Sequence, residues 1–549
     1  MSRSFMSKKV SLLLCIALIL TFLAGCSGSN PGSATTAPTV APDTAAPSET
    51  AVPEEPVELV VGLSGESLGL DPQQMPGFGF DVNMLYEPLI VPNADNTAYV
   101  PALCESMSYS DDGKTITFTL PEGLVFPNGD PLDAAAVKAS FERLLQIAPL
   151  KFLYMIIQGV DAPDAKTVVL RCMTQPSAMM SVIASPLSAI MNAAVASSLG
   201  DAAFMTAPVG YGPYTVAEWN RGNYMLLQAN ENFKTNNPLV DNHGAFYFDT
   251  IRIRTIPSAF TRVSELEAGN VDLIFDIPTD SVESLMANPD VTVVENRTTA
   301  MFYAAINSNR IPDLAVRTAL NLATDRDQIV QALSGAAIAT YGPLLPQWVG
   351  GSQAVEDKFK SAFSYDPEGA KALLAEVGYA DSDGDGMLDK DGAPFSLTMC
   401  IVSGQADVET AATIMQAQFK AVGIDLIIKA IDGAMAAETA QTGDYDLLVW
   451  SCGWSDANIF TFTFTQEPTQ MMANSPDYQQ LVALCAEADF NNDILVRQQK
   501  YAAAADLVYS FVPMISLYNP TAYMAYRNAV TGIKIVNGVI YLNDATKAN

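Results

Sequence analysis

Residues 103–145 read "LCESMSYSDDGKTITFTLPEGLVFPNGDPLDAAAVKASFERLL", and two periodicities follow one another within them. In the first part Met107, Tyr109, Ile116, Phe118 and Leu120 alternate with polar residues on either side of Asp112-Gly113. Alternation with period two around an Asp-Gly pair predicts a β-hairpin with one buried face. After the turn-rich "FPNGDPL" the period changes. Asp133 stands where a helix N-cap is wanted, and Val137, Phe141, Leu144 and Leu145 then share one helical face.

The same signals recur outward from this stretch. In "YDPEGAKALLAEVGY" (365–379) Asp366 is placed to cap a helix and Pro367 to take its first position. Ala370, Leu373, Leu374 and Val377 form its apolar stripe, and Gly378 stops it. In "TDRDQIVQALSGA" (324–336) Asp325 and Gln328 have the spacing of a capping box, with Gly335 as the stop. Strands and helices interleave throughout, so the class is α/β.

From Val57 to Asn549 the composition is that of a globular body, and 49% of the whole chain is hydrophobic. At about 100–200 residues per domain, this length predicts two to four structural units. The net charge is −31, from 60 acidic and 29 basic residues. Such a surface repels phosphate backbones, so nucleic acid is not an expected partner.

Nucleophilic and metal chemistry find little support. His243, in "LVDNHGAFYF", is the single histidine of the chain, and no G-x-S-x-G elbow occurs. A surface-loop histidine is the expected reading. Of the seven cysteines, Cys15 and Cys26 lie in the leader region. The remaining five are odd in number and irregular in spacing, which does not read as a disulfide framework, although one pair remains open. The segment "DSDGDGMLDKDG" (381–392) puts Asp381, Asp383, Asp385 and Asp389 at positions 1, 3, 5 and 9 of a calcium loop, with Gly386 at 6. Position 12 is Gly392 rather than a bidentate Glu, so a turn-rich acidic loop is expected, with calcium as a side reading. No cofactor is expected.

The N-terminus reads as a targeting segment. Arg3, Lys8 and Lys9 precede the apolar run "VSLLLCIALILTFLAG" (10–25). That run is short against the roughly 20 apolar residues that span a bilayer, so residues 1–25 are expected to be a cleaved signal peptide. Leu23-Ala24-Gly25-Cys26 resembles the bacterial lipobox, which implies cleavage before Cys26 and diacylation of its thiol. Residues 27–56, rich in Ser, Thr, Ala and Pro, then read as a disordered stalk.

The order of motifs along the rest of the chain resembles family 5 extracellular solute-binding proteins of the peptide and nickel type. The opening stretch resembles their signature region, and four further segments follow in register. They are "APVGYGPYTVAEWNRGNYMLLQANENF" (207–233), "TRVSELEAGNVDLIFDIP" (261–278), "DLAVRTALNLATDRDQIVQALSGAA" (313–337) and "GDYDLLVWSCGWSDA" (443–457). The helix at 365–379 also fits.

This resemblance implies a two-lobed, periplasmic-binding-protein-like α/β fold with a hinge. The first lobe would span 57–300, with an inserted subdomain at about 93–207, and the second would span 301–512. Residues 513–549 would return to the first lobe. It implies a monomer that captures a di- or oligopeptide between its lobes and delivers it to the permease and ATPase subunits of an ABC importer. The protein would then be extracytoplasmic, held at the cell membrane by a lipid anchor on Cys26, and not an enzyme. Trp454 and Asp456 match the family's tryptophan–acid pair, in which the carboxylate meets a peptide ammonium, with Asp456 one residue closer than usual. Tyr518, Phe78 and Phe80 are further ligand-contact expectations. A ligand-sensing lipoprotein and a non-peptide solute, such as a metal chelate or an oligosaccharide, are the alternatives, and an exported carboxylate hydrolase is a third class.

Overall fold

The computed structural model describes residues 56–75, 79–466, 469, 471–472 and 474–548. The leader and the stalk as far as residue 55, with Cys26, and the residue Phe78 lie outside the described residues. Among those described, no helix is long and apolar enough to cross a membrane.

A 12-stranded sheet organises the chain, and one strand, Met514–Arg527, sits at its middle. On one side its first residues pair antiparallel with Ala300–Ile306, Met514 facing Ala305 and Tyr518 facing Phe302. Beyond that strand lie Leu447–Gly453, Ser396–Val402 and Asp425–Ile431, the last two parallel. On the other side the last residues of the long strand pair with Leu273–Ile274, and the parallel strands Glu58–Leu63 and Thr250–Thr255 follow. Among the described residues, Val291–Arg297 and Ala337–Ala339 pair with the long strand alone, at its second half and its centre respectively.

The chain therefore passes between the two halves of the sheet twice, at Thr298–Thr299 and inside the long strand at Asn519–Pro520. The resemblance implied a second passage near "SFVPMISLYNP" (510–520), and within that stretch Met514–Tyr518 pair with Ala300–Ile306.

Each half has its own apolar filling. Residues such as Met399, Met415, Phe419 and Ile515 pack one side, and Leu59, Leu227, Phe248 and Leu542 pack the other. A third core is built around the four-stranded sheet that begins with the hairpin. Ser106–Tyr109 pairs with Thr115–Thr119, and Gly113 takes φ +70° in the turn. Ile116, Phe118 and Leu120 are fully buried there, with Val137, Phe141 and Leu144 of helix Ala134–Ile147 laid against them. The expected caps form: Asp133 accepts from the Ala136 N–H, and Asp366 from that of Gly369.

The capping box at 325–328 is half present. Asp325 accepts from the Gln328 N–H at 3.0 Å. The return bond to the Asp325 N–H comes from Gln418 Oε1 at 3.1 Å instead. Gln328 Oε1 is itself engaged by Gln418 Nε2 at 2.7 Å, so a long-range amide has displaced the local one.

His243 is exposed, its Nδ1 3.1 Å from the Thr235 carbonyl. Cys104, Cys172, Cys400 and Cys485 are buried free thiols, and burial pushes those of Cys104 and Cys485 up to about 12.

Candidate ligand cavity

A cavity of about 250 Å³ opens where the two halves of the sheet face one another. Glu87, Tyr99, Ser185 and Asn537 line it from one side, Gln347 and Ser455 from the other, and Thr299 at the crossover.

The second-side wall is strapped to the crossover. The Val349 N–H donates to the Ser455 carbonyl and the Ala457 N–H to that of Val349, both at 2.9 Å, so residues 347–349 run beside 455–457. The buried Trp348 donates from Nε1 to the Thr299 carbonyl at 2.9 Å. Gln347 Nε2 donates to Thr298 O and to Asn519 Oδ1, both at 3.0 Å. Asn519 Nδ2 in turn donates to Thr298 O at 2.9 Å. One side-chain cluster thus ties together both passages of the chain and a wall of the cavity. Across the cavity rim, Asn96 Nδ2 donates to the Gln347 carbonyl at 3.1 Å.

The first-side wall depends on a close backbone approach. Helix Phe80–Leu85 ends at Tyr86, and residues 210–214 of the "GYGPY" segment lie against that end. A Cβ on Gly212 would sit 2.2 Å from the Leu85 carbonyl carbon, so only glycine fits. This contact lets the Glu87 N–H reach the Tyr211 carbonyl at 2.6 Å. Glu87 Oε1 accepts the Thr235 hydroxyl at 2.7 Å.

The expected contact residues are distributed differently from the expectation. Trp454 is half-buried and packs against the hairpin-bearing core. Asp456 is fully buried, and both its oxygens are taken by the equally buried Arg497, one from Nη1 at 2.8 Å and the other from Nη2 at 2.5 Å. It is not available to a ligand ammonium. Tyr518 is 1% exposed, stacks on Phe302 at 4.9 Å and donates to Asp407 Oδ2 at 2.8 Å, which makes it a core residue of the sheet. Phe80 is 8% exposed, in the core beside Phe275.

In the acidic loop, carboxylate oxygens of Asp381, Asp383 and Asp385 gather within 4.8 Å of one another. They already accept the backbone N–H groups of Gly384, Asp385, Gly386 and Met387, which accounts for the turn. Asp389 is turned away to the Ser382 N–H and hydroxyl, so the expected ligand at position 9 does not join the other three.

Sequence reading missed Glu87, Tyr99, Gln347 and Asn537. For Glu87 a signal existed: it is a lone charge inside the apolar run "MLYEPLI".

The two sides also touch through Asp489, whose carbonyl accepts the Ser177 hydroxyl at 2.9 Å. Burial pushes its carboxyl from 3.8 up to about 6, against hydrogen bonds from Tyr501 and Thr461. The folded chain binds that proton more tightly than the unfolded one, so this group removes stability as pH rises from about 4 to 6 and nothing further above. Asp489→Asn is expected to flatten that part of the stability profile, read as urea midpoints between pH 4 and 7. An unchanged slope would assign the dependence elsewhere.

The model of the bacterial extracellular solute-binding proteins, family 5 middle region, matches residues 98–470. The chain belongs to this family. Over 550 residues this solute-binding protein is 26% identical to the oligopeptide-binding protein AppA of Bacillus subtilis (strain 168), with 96% of each chain covered. It is 28% identical over 452 residues to the glutathione-binding protein GsiB of Escherichia coli (strain K12), covering 79% of this chain and 83% of that one. Among solved structures, NikA from Brucella suis in complex with Fe(III)-EDTA superposes with a TM-score of 0.77 at 24% identity, covering 89% of this chain and 99% of its own. AppA bound to a nonapeptide gives 0.63 at 22%, covering 90% and 100%. The fold is the two-lobed one of these binding proteins, and the chain is a solute-binding protein rather than an enzyme.

Proposed function

We propose that this solute-binding protein is tethered outside the cytoplasm by a lipid on Cys26, captures a short peptide in the cavity between its lobes, and delivers it to an ABC importer. The observation that carries the reading is the cavity itself, walled from both halves of the sheet and anchored to both passages of the chain. On this reading the lobes are residues 57–298 with 520–549, and residues 299–519, and they turn about Thr298–Thr299 and Asn519–Pro520. A ligand closes such lobes only by binding the closed state better than the open one. At about 250 Å³ the cavity lies just below the roughly 300–1,000 Å³ of drug-sized sites, which favours a short ligand over a long one. The peptide and glutathione specificities named for AppA and GsiB support a peptide-like solute.

The test of capture is mass spectrometry of what co-purifies with a soluble form beginning at Val57. Short peptides are expected, and a single non-peptide mass would replace the peptide assignment. The tether has its own test. Cys26→Ala is expected to abolish incorporation of labelled palmitate and move the protein from the membrane fraction to the soluble one. Unchanged labelling would overturn the anchor.

A further inference from the structure

Of the cavity's described lining residues, Glu87 alone carries a carboxyl group, and none is Lys, Arg or His. A buried carboxylate without a cation is costly, and proteins satisfy it with a partner or keep it protonated. Glu87 has one hydrogen-bond partner among the described residues, the Thr235 hydroxyl on Oε1. No described hydrogen bond reaches Oε2, and that atom is not among the buried polar atoms shut off without a partner, so it keeps an accessible surface. Glu87 is half-buried and lines the cavity.

We propose that the cavity takes a small solute bearing a protonated amine, and that Glu87 is the carboxylate that pairs with it. The inference rests on the reading of this cavity as the solute site and names the class of solute. An ammonium at Oε2 supplies the missing counter-charge, and a charge-assisted hydrogen bond is roughly twice as strong as a neutral one. The side chains of Ser185, Ser455 and Asn537 offer neutral donors and acceptors to the rest of the solute. Solutes that are net anionic, as carboxylate-rich chelates are, would meet a negative group and no positive one. Desolvation raises the Glu87 carboxyl to about 7, consistent with an acid that lacks a resident cation. The other ionisable groups that couple to it, Tyr211 and Tyr541, are phenols held neutral far above that pH.

The experiment is calorimetry on the whole mature protein with four probes: alanyl-alanine amide, putrescine, N-acetyl-alanyl-alanine amide and Fe(III)-EDTA. At least one of the two amines is expected to bind, and acetylation is expected to weaken the dipeptide by about tenfold or more, worth about 1.4 kcal/mol. Glu87→Gln keeps the shape and the Thr235 bond. It is expected to erase the preference for the amine and leave the affinity of the acetylated probe unmoved. Equal binding of the acetylated probe, binding of the chelate alone, or an amine affinity unchanged in Glu87→Gln would overturn the assignment of Glu87 while leaving a binding protein. Binding of none of the four would count against both readings.

Discussion

Replacing Arg497 by alanine is expected to destabilise the protein by about 3–5 kcal/mol, the usual cost of removing one partner of a buried ion pair. Both side chains are fully buried, and the guanidinium meets Asp456 through two parallel bonds. Alanine would leave a carboxylate in the interior with only the Asn458 N–H, at 2.9 Å, still directed at it. Arg497 Nε also holds the Ala488 carbonyl at 3.2 Å, so the end of helix Tyr478–Asp489 would lose an anchor. Against a total stability of about 5–15 kcal/mol, such a loss is about a fifth of the total or more. The double variant Asp456→Asn, Arg497→Met is expected to recover part of it, because the penalty is that of an orphaned charge rather than of a missing attraction. Chemical denaturation of the three variants measures this. A single-variant loss below about 1 kcal/mol, the range of exposed pairs, would overturn it.

Gly212→Ala is expected to damage both stability and binding. Its Cβ would lie 2.2 Å from the Leu85 carbonyl carbon and 2.3 Å from the Tyr86 nitrogen. Overpacking costs about 1–3 kcal/mol when side chains can shift, and occasionally more. Here the obstacle is backbone, so the chain itself must move, and the expected cost is at the upper end. The displaced segment leads into Glu87, so affinity for the solute is expected to fall by about tenfold. Gly65→Ala, where nothing lies within 4 Å of the added carbon, is the matched control and is expected to be neutral. Thermal denaturation with calorimetry reads both effects. Equal behaviour of the two variants would show that the approach of residues 210–214 to the helix end does not position Glu87.

Local features were legible in the sequence because their physics is local. Asp133 and Asp366 reach a backbone N–H three residues on, and the hairpin's buried face follows from alternation alone. Where a long-range group could compete, the local reading failed in part. Gln418 is far from Asp325 in sequence, yet it supplies the bond that Gln328 was expected to make. The site was the least legible part. Asp456 has the residue type a ligand contact needs, and no spacing rule discloses an arginine 41 positions later that occupies it. The cavity draws single residues from stretches as far apart as Glu87, Gln347 and Asn537, none of which stands in a motif. Motif order pointed to the family, while the identity of the lining had to come from packing.

The strand Met514–Arg527 also imposes a schedule on the chain. It is the partner of Val291–Arg297 and Ala337–Ala339, which pair with no other strand among the described residues, and it joins the two halves of the sheet. A polypeptide made from its N-terminus must hold both of those strands without this partner until residues 514–527 have appeared. Pairings of such wide sequence separation form slowly, and open edges invite association in the meantime. Formation of this one strand is what joins the two halves of the sheet.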